Sequence, residues 1–420
     1  MDRRRCVQDA LNHRTPEKLP VDFGATAVTG IHVSVVAALR EHFGLDRHPV
    51  RVTEPYQMLG EIEPDLMDVL DVDVVPAAPS GTMFGFPAGN WKEWRTPWGQ
   101  DVLVPGDFNT TTEPNGDILI YPEGDTSAPP CAKMANAAFF FDTIIRQEEI
   151  DDDRLNPEDN LQEFAPVGEE DLEYWRGEID RAAATGRSVI ANFGGTAFGD
   201  IALVPGPMLK HPKGIRDIEE WYMSLVIRRD YVHEIFQKQC DIAIGNLEKL
   251  APVAGDKVDA VFICGTDFGT QKGQFCSRED YRELWLPYYK RVNDWIHEHT
   301  PWKTFKHSCG AVDPLIPDLI ESGFDILNPV QCSAEGMDPQ HLKDSYGDQM
   351  TFWGGGVDTQ HTLPFGSPED VRRQVAERCR IFGQQGGFVF NTIHNVQART
   401  PVENLVAMLD AVREYNRPSA

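Results

Sequence analysis

Two potential metal ligands, His307 and Cys309, are separated by a single residue. The residues just before them, Thr304–Lys306, are typical of a short buried strand, and alternate residues of a strand point to the same side. An imidazole nitrogen and a thiolate that face one point suit Zn²⁺, which favours mixed nitrogen and sulfur ligands. The pair alone is weak support for a metal site, because cysteine is often simply a buried residue.

A third ligand and an acidic group follow two other predicted strands. His394 comes after Phe388–Phe390, and Asp267 comes after Ala260–Cys264. Functional groups of (β/α)₈ barrels lie at the carboxyl ends of strands, so we expect both residues to approach His307. Three protein ligands with one open position are typical of a catalytic zinc site. Asp267 is then either a fourth ligand or a group that orients a ligand.

Further polar residues near the predicted strand ends are candidate substrate contacts. They are Gln271, Gln331 and Asp358, with Gln360 beside the last of these. Hydrogen bonds within the loops are an equally good interpretation for each of them, because exposed loop backbone is commonly satisfied by such side chains.

The elements that must position these residues alternate along the chain. The predicted strands are Leu19–Gly24, Asp71–Pro76, Ser188–Phe193, Ala260–Cys264, Thr304–Lys306, Asp325–Asn328, Thr351–Trp353 and Phe388–Phe390. The predicted helices include Arg3–Asn12, Ile31–Phe43, Glu219–Leu250, Arg278–Glu298, Leu315–Ser322 and Pro368–Phe382. Strand–helix alternation implies a parallel sheet, and eight such units fit a closed (β/α)₈ TIM barrel. A doubly wound open sheet is disfavoured, because no Gly-x-Gly-x-x-Gly follows a strand.

Residues 77–150 have a different character. Trp91, Trp94 and Trp98 alternate with turn residues, and short β-like runs such as Asp101–Val104 lie between the turns. We interpret this stretch as antiparallel β-hairpins inserted into the main fold. The predicted organisation of the α/β chain is therefore one barrel domain over residues 1–420 with an insertion at 77–150.

Composition excludes several classes of function. Lys and Arg number 39 against 66 Asp and Glu, a formal net charge of -27. Nucleic-acid binders need a basic face for phosphates, and anionic lipids attract basic segments, so neither partner is expected. None of the 8 cysteines forms a Cys-x-x-Cys pair, and no apolar run approaches the ~20 residues that span a bilayer. Reduced thiols and a cytoplasmic location follow as expectations.

A series of motifs runs in order through residues 215–415. They are Gly265–Gln271, Ser277–Tyr281, Leu286–Tyr289, Lys306–Gly310, Asp325–Gln331, Trp353–Asp358 and Thr400–Asn404, preceded near the start of the chain by Arg14–Val21. Their order and spacing resemble the superfamily of uroporphyrinogen decarboxylase and the cobalamin-dependent methyltransferases. The decarboxylases of that superfamily use an arginine-containing motif near the N-terminus, whereas this chain has Ala25–Val28 at that point.

The methyltransferase branch holds zinc with a His-x-Cys motif and a later cysteine. His307 and Cys309 match the first part, and His394 stands where the later cysteine is expected. A histidine still binds zinc, but one thiolate fewer leaves the metal more positive and a stronger Lewis acid. We expect this exchange to favour an ether or amine leaving group over activation of a thiol.

The resemblance implies a zinc-dependent methyltransferase. It would transfer a methyl group between a small methylated substrate, such as a methyl ether, and the cobalamin of a separate corrinoid protein. The corrinoid comes from a partner because the sequence has no Asp-x-His-x-x-Gly motif to bind one. Asp267 would donate or accept a proton. The alternatives are a uroporphyrinogen-type decarboxylase and a barrel that only binds a ligand or partner.

Overall fold

Helices and strands alternate along most of the chain in the computed structural model, which describes residues 2–417. The α-helices are α1 Arg3–Leu11, α2 Val33–His42, α3 Pro64–Val69, α4 Glu169–Ala183, α5 Ile218–Ile227, α6 Arg229–Ala254, α7 Arg278–Leu284, α8 Leu286–His299, α9 Ile316–Glu321, α10 Pro339–Tyr346, α11 Thr362–Phe365, α12 Pro368–Phe382 and α13 Val402–Tyr415. Short 3₁₀ helices cover Pro122–Gly124, Asp152–Arg154, Pro157–Leu161 and Asp313–Leu315.

The β-strands fall into one large parallel sheet and two smaller sheets. They are β1 Val50–Glu54, β2 Leu59–Gly60, β3 Val74–Ala77, β4 Lys92–Arg95, β5 Asp101–Val104, β6 Thr110–Thr112, β7 Ile118–Ile120, β8 Ala132–Met134, β9 Asp142–Thr143, β10 Ser188–Ala191, β11 Ala260–Cys264, β12 Lys303–His307, β13 Ile326–Asn328, β14 Thr351–Trp353 and β15 Phe388–Val389. The large sheet is a curled, half-barrel-like sheet of seven parallel strands, in the order β15-β14-β13-β12-β11-β10-β3.

The two edges of the large sheet are bridged by residues 20–22. The backbone N–H of Asp22 donates to Phe390 (2.9 Å), Phe390 donates to Pro20 (2.8 Å), and Asp73 donates to Val21 (2.8 Å). The predicted strand Leu19–Gly24 is thus reduced to one isolated bridge, between Val21 and Phe390. The physical reason is local, because Pro20 has no N–H to give to a ladder.

The interior of the sheet is an apolar layer to which every parallel strand contributes. The buried cluster contains Val74, Ile190, Ala260, Phe305, Ile326, Trp353 and Val389, together with Val7, Ala10 and Leu11 of α1. α1 lies at the amino ends of the strands, where Gly387 N–H donates to Ala10 (2.9 Å). Because alternate strand residues share a face, the residues two places after Phe305 and Ile326 also point inward, above this layer.

The region before β10 forms two small sheets. β4 pairs with β5 antiparallel, and β6 to β9 form a four-stranded antiparallel sheet. The first sheet has the order β2-β1-β5-β4, so it also includes strands that precede residue 77. The presence of a separate insertion over residues 77–150 therefore stays a prediction.

Two predicted helices are each divided in the structure. Glu219–Leu250 is covered by α5 and α6, because Arg228 has a non-helical backbone (φ -132°, ψ 43°). Arg278–Glu298 is divided at Trp285, just before a proline at the start of α8, where a missing N–H does no harm. Among residues 2–417, no helix is both long and apolar enough to cross a membrane.

Candidate metal centre

His307, Cys309 and His394 lie together at the carboxyl ends of the parallel strands. One ligand atom from each lies within 4.8 Å of the others, and no other group of this kind occurs among the residues described. The Sγ of Cys309 is 3.5 Å from Nε2 of His307. The two imidazole rings are edge to face, with centroids 5.3 Å apart. Nitrogen and sulfur donors this close together form a donor set suited to a divalent cation such as zinc.

The last residue of β12 supplies His307, and the turn after the strand supplies Cys309. His307 is buried and its Nδ1 lies 2.6 Å from Oδ1 of Asn328, on the neighbouring strand β13. The turn is held by its backbone, since the Cys309 N–H donates to Oδ1 of Asp267 (2.7 Å). The Gly310 N–H donates to Oε1 of Gln331 (2.7 Å). Both residues are therefore held by neighbours on adjacent strands or loops.

Two glycines allow the β12 turn to pack directly on the loop after β11. Gly310 has a positive φ (+90°), and a Cβ there would come within 2.3 Å of the Gly269 carbonyl carbon. A Cβ at Gly269 would meet the Cys309 carbonyl oxygen at 2.7 Å. Only glycine permits an approach this close, so the motifs containing Asp267 and Cys309 are joined through their backbones.

Asp267 lies beside the group formed by His307, Cys309 and His394. Its Oδ1 is 3.8 Å from Nε2 of His307, and the same oxygen accepts the Cys309 N–H. Burial raises the pKa of Asp267, and the hydrogen bond from Cys309 opposes that effect. The contact with the Cys309 N–H is compatible with an orienting role, and the roles of fourth ligand, orienting group and proton donor or acceptor all stay predictions for Asp267.

His394 is held differently from His307, in the loop after β15. Its Nδ1 accepts the backbone N–H of Asn395 (2.8 Å), so in the neutral ring the proton is on Nε2. The Asn395 side chain accepts from Gly30 N–H (2.6 Å) and donates to Oε1 of Gln57 (2.8 Å). A cation bound at Nδ1 would displace the Asn395 N–H, and one bound at Nε2 would need the ring proton to move to Nδ1. Either way, the bond from Asn395 is given up.

Burial sets the protonation of these three side chains. It lowers the pKa of both His307 and His394 to about 4, so both rings are neutral near pH 7, as metal ligands must be. Burial and the charge of Asp267 hold the pKa of the Cys309 thiol well above its ordinary value. A bound divalent cation acts in the opposite direction, because it stabilises the thiolate.

The three residues predicted to contact substrate lie near the same end of the sheet. Gln331 is buried and holds the Gly310 N–H, and Asp358 is buried and accepts the N–H groups of Gln360 (2.9 Å) and His361 (3.2 Å). Gln271 is exposed, and its Nε2 donates to Oε1 of Gln360 (3.1 Å). Gln331 and Asp358 thus have loop-holding partners, and a role in substrate binding stays a prediction for all three.

Sequence reasoning missed two polar groups close to this site. Asp200, in the loop after β10, is buried; burial raises its pKa to about 6, and the charge of Asp267 adds to the rise. The hydroxyl of Tyr222 on α5 is buried and has no hydrogen-bond partner among the residues described. The ring of Tyr222 stacks on Phe275 (5.5 Å between centroids). Neither residue directly follows a strand, so an argument based on polar residues at strand ends could not identify them.

Asn328 was also missed, although the sequence contained a signal for it. It ends β13 two residues after the inward-facing Ile326, and it is fully buried. A polar residue that continues the inward-facing alternation of a barrel strand is expected to reach the interior at its carboxyl end.

The second half of the chain is similar to known proteins. Residues 208–415 match the family model described as uroporphyrinogen decarboxylase (URO-D). The uroporphyrinogen decarboxylase of Chlorobium luteolum is 25% identical over 177 residues, which cover 40% of this chain and 48% of that protein. The methylated-thiol–coenzyme M methyltransferase of Methanosarcina mazei is 30% identical over 142 residues, which cover 34% and 35% of the two chains. The chain therefore matches less than half the length of these curated relatives.

The likeness in three dimensions extends over the whole chain. A solved structure of a methyltransferase from Methanosarcina mazei covers 99% of this chain and 100% of its own, with a TM-score of 0.55 and 13% sequence identity. At that identity the match supports the fold alone. Residues 208–415 are thus similar to the uroporphyrinogen decarboxylase (URO-D) family, and the curated proteins similar to this chain include decarboxylases and a methyltransferase.

Proposed function

We propose that the chain is a zinc-dependent methyltransferase. It would transfer a methyl group between a small methylated substrate and cobalamin carried by a separate corrinoid protein. The observation that carries this proposal is the group formed by His307, Cys309 and His394. The similarity to a methyltransferase over 142 residues supports it. We further propose that the chain is one domain whose curled sheet works as a (β/α)₈ barrel, completed by residues 20–22 between its edges. The cytoplasmic location stays a prediction.

The donor set fits zinc in number and type, and one pair of donors already has a suitable spacing. Two neutral imidazoles and one thiolate leave an open position, which is typical of catalytic zinc sites. Tetrahedral zinc with bonds of about 2.0–2.3 Å separates its ligand atoms by roughly 3.3–3.8 Å. The distance of 3.5 Å between Sγ of Cys309 and Nε2 of His307 already lies in that range. To bind zinc, His394 would lose the hydrogen bond that its Nδ1 accepts from the Asn395 N–H.

The chemistry follows from the charges that the chain supplies. When bound, zinc would act as a Lewis acid toward the heteroatom that carries the methyl group. A single thiolate, that of Cys309, neutralises only half of its double positive charge. This favours an ether as the methylated group, and we propose an aryl or other small methyl ether as substrate.

Proton transfer is assigned to Asp267. The Cys309 N–H occupies Oδ1, which leaves Oδ2 to exchange a proton with the substrate oxygen. Burial raises the pKa of this carboxyl, which makes it easier to protonate than an exposed one. We also propose that Gln271 contacts substrate, which its exposed side chain allows, whereas Gln331 and Asp358 would act partly through the loops that they hold.

A decarboxylase is the second candidate, because several of the curated relatives are uroporphyrinogen decarboxylases. It gives the three clustered ligands no part in the chemistry. A barrel that only binds a ligand is the third. Metal content distinguishes the decarboxylase and the binding-only barrel from the zinc-dependent methyltransferase.

Metal content of the purified protein is the test. We expect about one zinc per chain in the wild type, lost in His307→Ala and in Cys309→Ala. His341→Ala and Cys276→Ala are matched controls, because both residues lie outside the group of three. The controls should keep the metal. Absence of zinc from the wild type, or zinc unaffected by the first two substitutions, contradicts the proposal and favours the decarboxylase.

Where zinc is found, methyl transfer is measured next. The zinc-loaded protein is mixed with a reduced corrinoid protein and a panel of methyl ethers, methylamines and methylated thiols, and formation of methylcobalamin is followed by its absorbance. Turnover of ethers but not thiols supports the assigned substrate class. Turnover of thiols alone overturns that class and leaves the methyltransferase in place.

A further inference from the structure

We propose that Asn328 is the positioning residue that makes His307 a ligand, by fixing the ring proton on Nδ1 and leaving Nε2 free. The two residues end neighbouring strands, and they are partners in the register between β12 and β13. Both are buried, and Oδ1 of Asn328 lies 2.6 Å from Nδ1 of His307. One of the two atoms must carry a hydrogen for this contact to be favourable.

The orientation of the Asn328 amide is determined by its other neighbour. Its Nδ2 donates to the backbone carbonyl of Trp353 (2.9 Å). If the amide were turned over, its oxygen would face that carbonyl oxygen, and two acceptors would meet with no proton between them. The amide oxygen therefore faces His307.

The space for this amide is provided by the glycine after β14. Gly354 has φ +94°, and a Cβ there would lie 3.3 Å from Nδ2 of Asn328 and 2.8 Å from the carbonyl oxygen of Thr392. A side chain at this position would press on the amide nitrogen of Asn328. Gly354, the first glycine of the Gly354–Gly356 run, thus leaves room for the Asn328 amide beside His307.

The position of the ring proton follows. An amide oxygen carries no hydrogen, so Nδ1 of His307 must be the donor in the contact. A neutral imidazole has a single N–H, which leaves Nε2 as a lone pair. That nitrogen is the one that lies 3.5 Å from Sγ of Cys309. Asn328 thereby presents the correct nitrogen to a cation before any cation arrives.

Two substitutions separate this role from a merely structural one. Asn328→Asp and Asn328→Leu both remove the donor to Trp353, but only Asn328→Leu removes the acceptor for Nδ1. Asn293→Leu is a matched control, because Asn293 is equally buried and its Nδ2 also donates to a backbone carbonyl, that of Ser322 (2.8 Å). No histidine nitrogen accepts from or donates to Asn293 among the contacts of the described residues.

The first readout is the tautomer of His307 in the metal-free protein. Long-range ¹H–¹⁵N correlation spectra of the imidazoles identify the protonated nitrogen, and His307→Ala assigns the signal. We expect the Nδ1–H form in the wild type and in Asn328→Asp, and its loss in Asn328→Leu. An Nε2–H form in the wild type overturns the inference, and it does so even if the leucine variant fails to fold.

The second readout is zinc affinity, measured by competition with a chromophoric chelator. The loss of a group that orients a metal ligand typically weakens affinity by about 10–100-fold. We expect that loss in Asn328→Leu, and affinity within a few-fold of the wild type in Asn328→Asp and Asn293→Leu. Equal losses in all three, or none in Asn328→Leu, contradict the inference. This readout rests on the proposed function, whereas the tautomer does not, so a protein that binds no zinc still tests the placement of the proton.

Discussion

The candidate metal centre has two parts that are built in different ways. His307 and Cys309 form the strand-borne arm, and His394 forms the loop-borne arm. His307 and Cys309 belong to a strand and the turn directly after it, and neighbouring strands hold them through Asn328, Asp267 and a glycine contact. His394 lies in a loop, and its Nδ1 is occupied by the next backbone N–H. In the strand-borne arm, Nε2 of His307 is thus free for a cation and only the Cys309 thiol would have to lose its proton, whereas the loop-borne arm would have to break a hydrogen bond to bind one.

The largest expected effect is the loss of the strand-borne arm. His307→Ala and Cys309→Ala each remove one of three ligands, and we expect zinc affinity to fall by more than the roughly 100-fold that loss of an orienting group causes. Chelator competition measures this loss. An affinity within tenfold of the wild type in either variant would show that this arm does not hold the metal.

The next prediction concerns the stability that the backbone contact between Gly310 and Gly269 gives to the strand-borne arm. We expect Gly310→Ala to lower the free energy of unfolding by about 3 kcal/mol, because it combines a positive φ with a backbone clash. Gly194→Ala is the control, since Gly194 has φ +75° and no atom within 4 Å of its added Cβ. It should cost only about 1–2 kcal/mol. Urea unfolding monitored by fluorescence compares them, and equal losses would mean that the contact with Gly269 is loose.

The loop-borne arm should contribute less to binding. His394 gives up one hydrogen bond when it binds a cation, and such a bond contributes about 1 kcal/mol. The loss of zinc affinity in His394→Ala should therefore be about fivefold smaller than in His307→Ala. Isothermal titration of zinc into both variants provides the numbers. A loss in His394→Ala that equals or exceeds that in His307→Ala would break the comparison.

The smallest expected effect is the number of protons that the protein releases when it binds zinc. Because the pKa of each histidine is lowered to about 4, neither ring carries a proton to release above about pH 5. The raised pKa of Cys309 means that its thiol is protonated in the metal-free protein near pH 7. Zinc binding should therefore release about one proton, and affinity should rise with pH through the neutral range. Calorimetry in buffers of different ionisation enthalpy measures the number, and release of two protons would place a charged histidine in the site.

Elements with strong periodic patterns could be predicted from the sequence. The predicted bounds of Ala260–Cys264, Thr351–Trp353 and Pro368–Phe382 are those of β11, β14 and α12. The residues that the strand-end argument named for a metal also lie together, because the argument rests on a geometric rule of parallel strands.

What could not be predicted depends on contacts between distant segments. The break at Arg228 coincides with side-chain bonds to Asp152, 76 residues away, and to Glu220. Asp200 and Tyr222 are candidate functional residues only because they are buried near Asp267, and no local sequence pattern indicates that burial. The proton on His307 likewise depends on an amide whose orientation is set by a third strand.

The short helix α1 has a consequence for the order of events in the proposed reaction. Its Val7, Ala10 and Leu11 fill the interior at the amino ends of the strands, opposite His307. The amino ends are therefore closed by packed side chains, which leaves the carboxyl ends as the side from which reactants would enter. In the proposed reaction, a small substrate would then enter before a corrinoid protein covers that side, and its product would leave after the partner does. A compulsory order of binding would thus follow from a nine-residue helix at the far end of the fold.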